Sequence, residues 1–327
     1  MSVRKPRLIA SLLLFSLLAA PVAQAEDADR YPSKPIRIVA PFPPGGATDL
    51  TARLFGEGFR EAWGQPVIIE NRPGASGIVG ADIASRAQAD GYTMVLGSMS
   101  LHTILPSLSE RMGEVQKALT PIGLIGTAPA YVVVPASSPV NTIQELIEYI
   151  KKKPGEYPYG SAGTGASQHL FAEQFIRSAG LKMYHVPYKG SGALMTDLIA
   201  GRVVMALDQG PATLPHIQNG SLKALAVTSL RRTDVLPDVP TLDETVLPGY
   251  SASIWLSLYG PAGIPDQIVN KINATMADLI KRPDIRERLK SVGIEPESAS
   301  PQELAQLAER DTATYSELIR AANIRLE

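Results

Sequence analysis

The sequence predicts a two-lobed α/β protein with a cleft between its lobes, on three observations. Strand-like and helix-like stretches alternate almost throughout, which argues for mostly parallel sheets with right-handed crossovers. One design occurs twice, a short strand feeding a small-residue loop at the start of a helix: Ile36–Ala40 into Gly45-Gly46, and Tyr157–Ser161 into Gly163-Thr164-Gly165. Two strand-like crossings, Pro121–Pro135 and Leu222–Ser229, enclose a self-contained α/β block. The expected division is a discontinuous first lobe, 31–127 plus 230–327, and a second lobe, 128–229, joined by a paired-strand hinge. A chain of 327 residues exceeds a usual single core, which agrees with two lobes.

The first residues set the compartment. Arg4, Lys5 and Arg7 precede an apolar run from Leu8 to Ala20 and the small-x-small pattern Ala23-Gln24-Ala25, an export signal cleaved after Ala25. The run is too short to span a bilayer comfortably, and no later segment is long and apolar enough to do so. The chain has no cysteine, so a lipidated N-terminal cysteine, disulfides, thiol nucleophiles and thiolate metal sites are excluded. The expectation is a freely diffusing protein of a bacterial periplasm. Against 31 Lys+Arg and 32 Asp+Glu overall, removing Met1–Ala25 takes away three bases and no acid, leaving −4. That mild acidity gives no general attraction to nucleic acid.

Ile36–Ala40 is a short apolar, β-branched run ended by Pro41, Pro43 and Pro44, which cannot donate to a ladder. Gly45 and Gly46 leave their amides uncovered, and Thr48 or Asp49 fits the N-cap of a helix that Gly64 stops before Pro66. Such a loop aims amides and the positive end of a helix dipole at one point, which suits a small anion. No Lys or Arg lies between Ile38 and Thr51, so neutral donors would meet that anion. As an N-cap, Asp49 has an ordinary structural role; facing the cleft, it would favour a ligand hydroxyl or amine.

Val67–Glu70 is the next strand, followed by the loop Gly74-Ala75-Ser76-Gly77 and a helix around Ile78–Ala87. Asp90-Gly91 turns the chain into a strand Tyr92–Leu96 that runs into Gly97-Ser98. Ligands collect outside the carboxyl ends of parallel strands, where these loops lie. Beyond the crossing, Thr142–Glu145 fits a capping box. Ser161–Ala166 then opens a helix from about Gln168, again without Lys or Arg. Arg202–Leu207 is a strand ending in Asp208-Gln209-Gly210. Ser300-Pro301-Gln302-Glu303 predicts a terminal helix with a Ser N-cap, Pro at its first position and Glu at its third.

Familiar catalytic and nucleotide motifs are absent. No Gly-Lys-Ser/Thr tripeptide occurs, and Gly163-Thr164-Gly165 is followed by Gln168 where a dinucleotide fingerprint needs glycine. There is no G-x-S-x-G elbow, and His102, His169, His185 and His216 show no metal-ligand spacing. His169 reads as packing or capping within its helix. No catalytic residue, metal or cofactor is expected.

Several stretches together resemble one family. They are Pro41-Phe42-Pro43-Pro44-Gly45-Gly46-Ala47-Thr48-Asp49, Glu70-Asn71-Arg72-Pro73-Gly74-Ala75, Asp90-Gly91-Tyr92, Gly160–Gly165 with His169-Leu170, Val186–Gly190, Leu225–Thr228 and Leu236–Thr241. In order over the whole mature chain, they resemble the Bug (TctC-type) periplasmic solute-binding receptors of tripartite tricarboxylate transporters. The resemblance implies a type II-like Venus-flytrap fold, monomeric, that closes on a small carboxylate and delivers it to membrane transporter subunits. It implies a site at Phe42, Gly45, Gly46, Ala47, Thr48, Asp49, Ser98, Ser161, Ala162, Gly163, Thr164, Gly165, Ala166 and Asp208. Relatives often carry Ser or Thr where this chain has Ala166. Two other readings stay open on the residues alone: a ligand-presenting partner of a membrane sensor kinase, and an exported hydrolase or isomerase.

Overall fold

The structure, a computed structural model, describes residues 30–44, 47–322 and 324. The export signal with its cleavage after Ala25, and Gly45 and Gly46 of the first loop, lie outside the described residues.

The first unit is β1 (Ile36–Ala40), α1 (Ala47–Trp63), β2 (Val67–Asn71), α2 (Ile78–Ser85) and β3 (Thr93–Ser98). β1 lies between β2 and β3 and parallel to both, with Ile38 opposite Ile69 and Met94. Gly64 closes α1 with φ +68° and its amide on the Arg60 carbonyl, the left-handed stop that glycine permits. Thr48 and Asp49 lie within the first turn of α1 rather than at its N-cap, because the helix already begins at Ala47. A π-helical turn, Ser100–Ile104, then leads into α3 (Leu105–Leu108) and α4 (Glu110–Lys117).

Next comes β4 (Leu119–Pro135), one continuous strand of 17 residues. The second unit follows as α5 (Ile143–Lys151), β5 (Pro158–Ser161), α6 (Ser167–Ser178), β6 (Tyr184–Pro187), α7 (Ser191–Ile199), β7 (Met205–Gln209), α8 (Gly210–Gln218) and β8 (Leu222–Val227). The chain ends with α9 (Leu242–Thr245), β9 (Ser253–Pro261), α10 (Asp266–Lys281), α11 (Pro283–Ser291), β10 (Glu295–Pro296) and α12 (Pro301–Ala321).

These strands form one curled α/β sheet in the order β2-β1-β3-β9-β4-β7-β5-β6, with β8 and β10 also on β4. The sheet is mixed rather than mostly parallel. Its outer pairs are parallel, but the central pairs β3–β9, β9–β4 and β4–β7 are antiparallel. The reason is the route of the chain, which passes between the two units once in each direction, so the strands that meet there oppose one another. β4 pairs β9 from Leu119 to Pro129 and then β7 from Ala130 to Val133, and its register shifts at two places along β9.

The return differs from the single strand expected at Leu222–Ser229. β8 stays antiparallel to the far half of β4, and Thr228 clasps the passage. The Thr228 hydroxyl accepts from the Ala130 amide at 2.8 Å and donates to the Ala252 carbonyl, immediately before β9 begins. At the other end of the chain, α12 seals both units. Its Leu304, Ala308 and Ile319 share a core cluster with Phe171 and Phe175 of α6 and with Met99 and Leu101 beside β3. Ser300 and Glu303 make the predicted reciprocal cap, with amide contacts of 2.8 and 3.2 Å.

Candidate functional site

A cavity of about 510 Å³ lies where the loops at the carboxyl ends of β1, β2, β3, β5 and β7 converge. From the first unit it is lined by Phe42, Thr48, Ser76, Ser98, Ser100 and the apolar run Ile104, Leu105 and Leu108. From the second it is lined by Ala162–Gln168, Gln209 and Pro211. Ala128 of β4 and Ile254 of β9, directly paired, contribute to the wall with Leu256, Val292 and Ile294. Of the residues expected from sequence, Phe42, Thr48, Ser98, Ala162, Gly163, Thr164, Gly165 and Ala166 line the cavity. Ala47 opens α1. Ser161, Asp49 and Asp208 are buried and engaged with protein groups.

The second-unit loop is built by its own hydrogen bonds. The Ser161 hydroxyl accepts from the Gly163 amide at 3.2 Å and lies 2.7 Å from His185 Nε2. The Gly165 amide donates to His169 Nδ1 at 3.1 Å, and the Ala166 amide to the Gly163 carbonyl at 3.2 Å. The amides of Gly163, Gly165 and Ala166, expected to be bare, are thus consumed in shaping the turn. His169 and His185 stack behind it with ring centroids 3.8 Å apart and planes within 6°. Burial lowers both imidazoles to about 4, so they are neutral at pH 7. With Nδ1 of His169 accepting, its proton is fixed on Nε2.

What this turn leaves open is the start of α6. Ala166 at the N-cap makes no side-chain cap, and first-turn residues Ser167 and Gln168 line the cavity. The start of α8 is also without a side-chain cap, with Gln209 at the N-cap and Pro211 in the first turn, both on the cavity wall. Amides in the first turn of a helix have no intrahelical acceptor and carry the positive end of the dipole. Gln209 gives its amide to Asp208 and Pro211 has none, so the neutral donors offered to an anion come from the start of α6, with the start of α1 opposite through Thr48.

The two aspartates are directed away from that role. Asp49 accepts from Asn71 Nδ2 at 2.9 Å and pairs with Arg53 at 3.0 Å, which neutralises it. Burial raises the Asp208 carboxyl above its usual range. Its Oδ1 accepts from Gln168 Nε2 at 2.9 Å and from the Gln209 amide at 2.8 Å, so it holds both glutamines against the cavity. No Lys, Arg, Asp, Glu or His is among the described residues lining the cavity. Among the described residues no group of His, Cys, Asp and Glu could hold a metal ion, and no helix is long and apolar enough to cross a membrane.

Sequence reasoning missed Ser76, Ser100, Gln168, Gln209 and the apolar wall. Ser76 sits in the Gly74–Gly77 loop after β2; its φ of +56° lies in the left-handed region, as does Gly77 at +99°. Gln168 and Gln209 follow the loop and strand identified, and only their three-dimensional pairing through Asp208 marks them out.

Comparison with known proteins gives a consistent picture. A family model described as the tripartite tricarboxylate transporter family receptor matches residues 51–324. The protein BugT of Bordetella pertussis is 32% identical over 326 residues, covering 98% of this chain and 99% of BugT. The structure of R. palustris Rpa4515 with adipate is 33% identical with a TM-score of 0.75, covering 90% of this chain and 99% of that one. MatC (Rpa3494) from Rhodopseudomonas palustris with bound malate is 28% identical with a TM-score of 0.69, covering 88% and 100%.

Proposed function

The chain belongs to the tripartite tricarboxylate transporter receptor family, and from that premise we propose that it captures a small carboxylate in this cavity. The observation that carries the reading is the uncapped start of α6, with the start of α1 opposite, on one cavity without a charged side chain among its described lining residues. Neighbours holding adipate and malate support a carboxylate as the ligand class. Each hydrogen bond to an ionised carboxylate contributes about 1.5–3 kcal/mol, so a handful reach the ~8 kcal/mol of micromolar affinity.

Residues 31–127 with 230–327 act as one lobe and 128–229 as the other. The change of β4 partners at Pro129/Ala130 and the Thr228 clasp support a hinge there. Ligand draws the lobes together because only the closed state satisfies its carboxylate from both sides. Gly45, Gly46 and Ala47 supply the first lobe's amides, and Thr164, Ser167 and Gln168 the second's. The cavity captures without chemistry, in keeping with a family of receptors. The mature chain starts after Ala25, acts as a monomer in the periplasm and hands its ligand to membrane transporter subunits.

A thermal-shift screen of the mature protein against mono-, di- and tricarboxylates tests the reading. A ligand at a hundred times its Kd stabilises by about 2.7 kcal/mol. A screen in which no carboxylate raises Tm overturns the proposal.

A further inference from the structure

Granting that the cavity is a carboxylate site, its walls say more about the rest of the ligand. The apolar surface comes from three directions: Ile104 and Leu105 on the π-helical turn and α3, Ile254 and Leu256 on β9, and Val292 and Ile294 before β10. A cavity of about 510 Å³ is in the range that encloses a ligand of drug-like size, so a body larger than four carbons fits.

On the second unit's side the glutamines are tied to each other, while the hydroxyls of Thr48, Ser76, Ser98, Ser100 and Thr164 also line the cavity. Gln168 Nε2 donates to Asp208 and, at 2.8 Å, to Gln209 Oε1, while Gln168 Oε1 accepts from the Ser167 hydroxyl at 3.2 Å. Gln209 Nε2 returns to Ser167 Oγ at 3.4 Å, which closes the ring. What remains on that side are the first-turn amides of α6 and the Thr164 hydroxyl, which suit one carboxylate.

From the apolar walls we infer that the site selects carboxylates with an apolar body of about six or more carbons over short, densely charged acids such as citrate and tartrate. The carboxylate docks at the α6 start, and the body lies along Leu105, Ile254 and Ile294. A second or third charge set against this apolar wall gives up water without replacement.

Isothermal titration of the mature protein with hexanoate, octanoate, citrate and tartrate tests this. Affinity is expected to rise about fourfold per added methylene from hexanoate to octanoate. Octanoate should bind at least tenfold more tightly than citrate or tartrate. Ile254→Asn should weaken octanoate about tenfold and leave tartrate within twofold; Leu108→Ser, at a half-buried wall position, serves if that variant does not fold. Tighter binding of citrate or tartrate, or no gain along the alkyl series, overturns this inference while the carboxylate reading stands. Failure of all four acids, with no other carboxylate bound in the wider screen, overturns both.

Discussion

His102 gives the sharpest prediction about stability. It lies on the π-helical turn between cavity residues Ser100 and Ile104, 1% exposed, with its ring stacked 3.7 Å from that of Tyr259. Nδ1 meets Gln116 Oε1, whereas Nε2 is buried with no partner among the described residues. Burial depresses this imidazole from 6.5 to about 4. The unfolded chain therefore binds the proton more readily than the folded one, and stability falls as pH drops below 6.5 towards 4. At 1.36 kcal/mol per pH unit the loss reaches about 3 kcal/mol by pH 4. His102→Phe keeps the stacked ring and removes the titration, while half-exposed Gln116 turns to water. Urea unfolding at pH 7.0, 5.5, 4.5 and 4.0 should show the two proteins diverging as pH falls. The variant should retain about 3 kcal/mol more of its neutral-pH stability at pH 4. Carboxylate titration is common to both and cancels in the difference, and so does that of His169 and His185. Parallel curves across this range would refute the burial argument.

Further predictions address the site and the hinge. His169→Leu removes the acceptor of the Gly165 amide and should weaken carboxylate binding at least tenfold, with a drop of a few degrees in Tm; unchanged affinity would show that the turn holds without it. Gly46→Val should abolish binding with the far-UV circular dichroism intact, and an unaltered Kd would remove the first loop from the site. Thr228→Val strips the hydroxyl joining Ala130 to Ala252 and should cost about 1–3 kcal/mol in urea unfolding, since it leaves a buried amide without its partner. Ser300→Ala should cost about 1 kcal/mol through the lost α12 cap while leaving affinity unchanged.

The sequence foretells this fold best where local chemistry decides. Ser300, Pro301 and Glu303 announce α12 because a cap is satisfied within four residues. The prolines after Ala40 end β1, and the small-residue loops mark the mouths of β1, β3 and β5. Long-range pairing is less visible. Nothing in Leu119–Pro135 alone says that one strand changes partners at Pro129, or that β9 returns beside it, because register depends on residues over a hundred positions away. The loop before α6 looks like a row of free amides, yet His169, four residues downstream of Gly165, takes one of them. Asp208 looks like a ligand contact, and its bond to Gln168, forty residues earlier, could not be foreseen. Polar side chains are read correctly only once their partners are known.

The central claim is that a carboxylate is held by helix-end amides from both lobes, and amide NMR of the mature, deuterated protein tests it most directly. Titration with a bound carboxylate should move the amide signals of Thr164, Ser167 and Gln168 together with those of Ala47, Thr48 and Ser76, saturating at one common Kd. Shifts confined to one lobe, or centred on the separate cavity bordered by Arg231, Trp255 and Asp311, would contradict it.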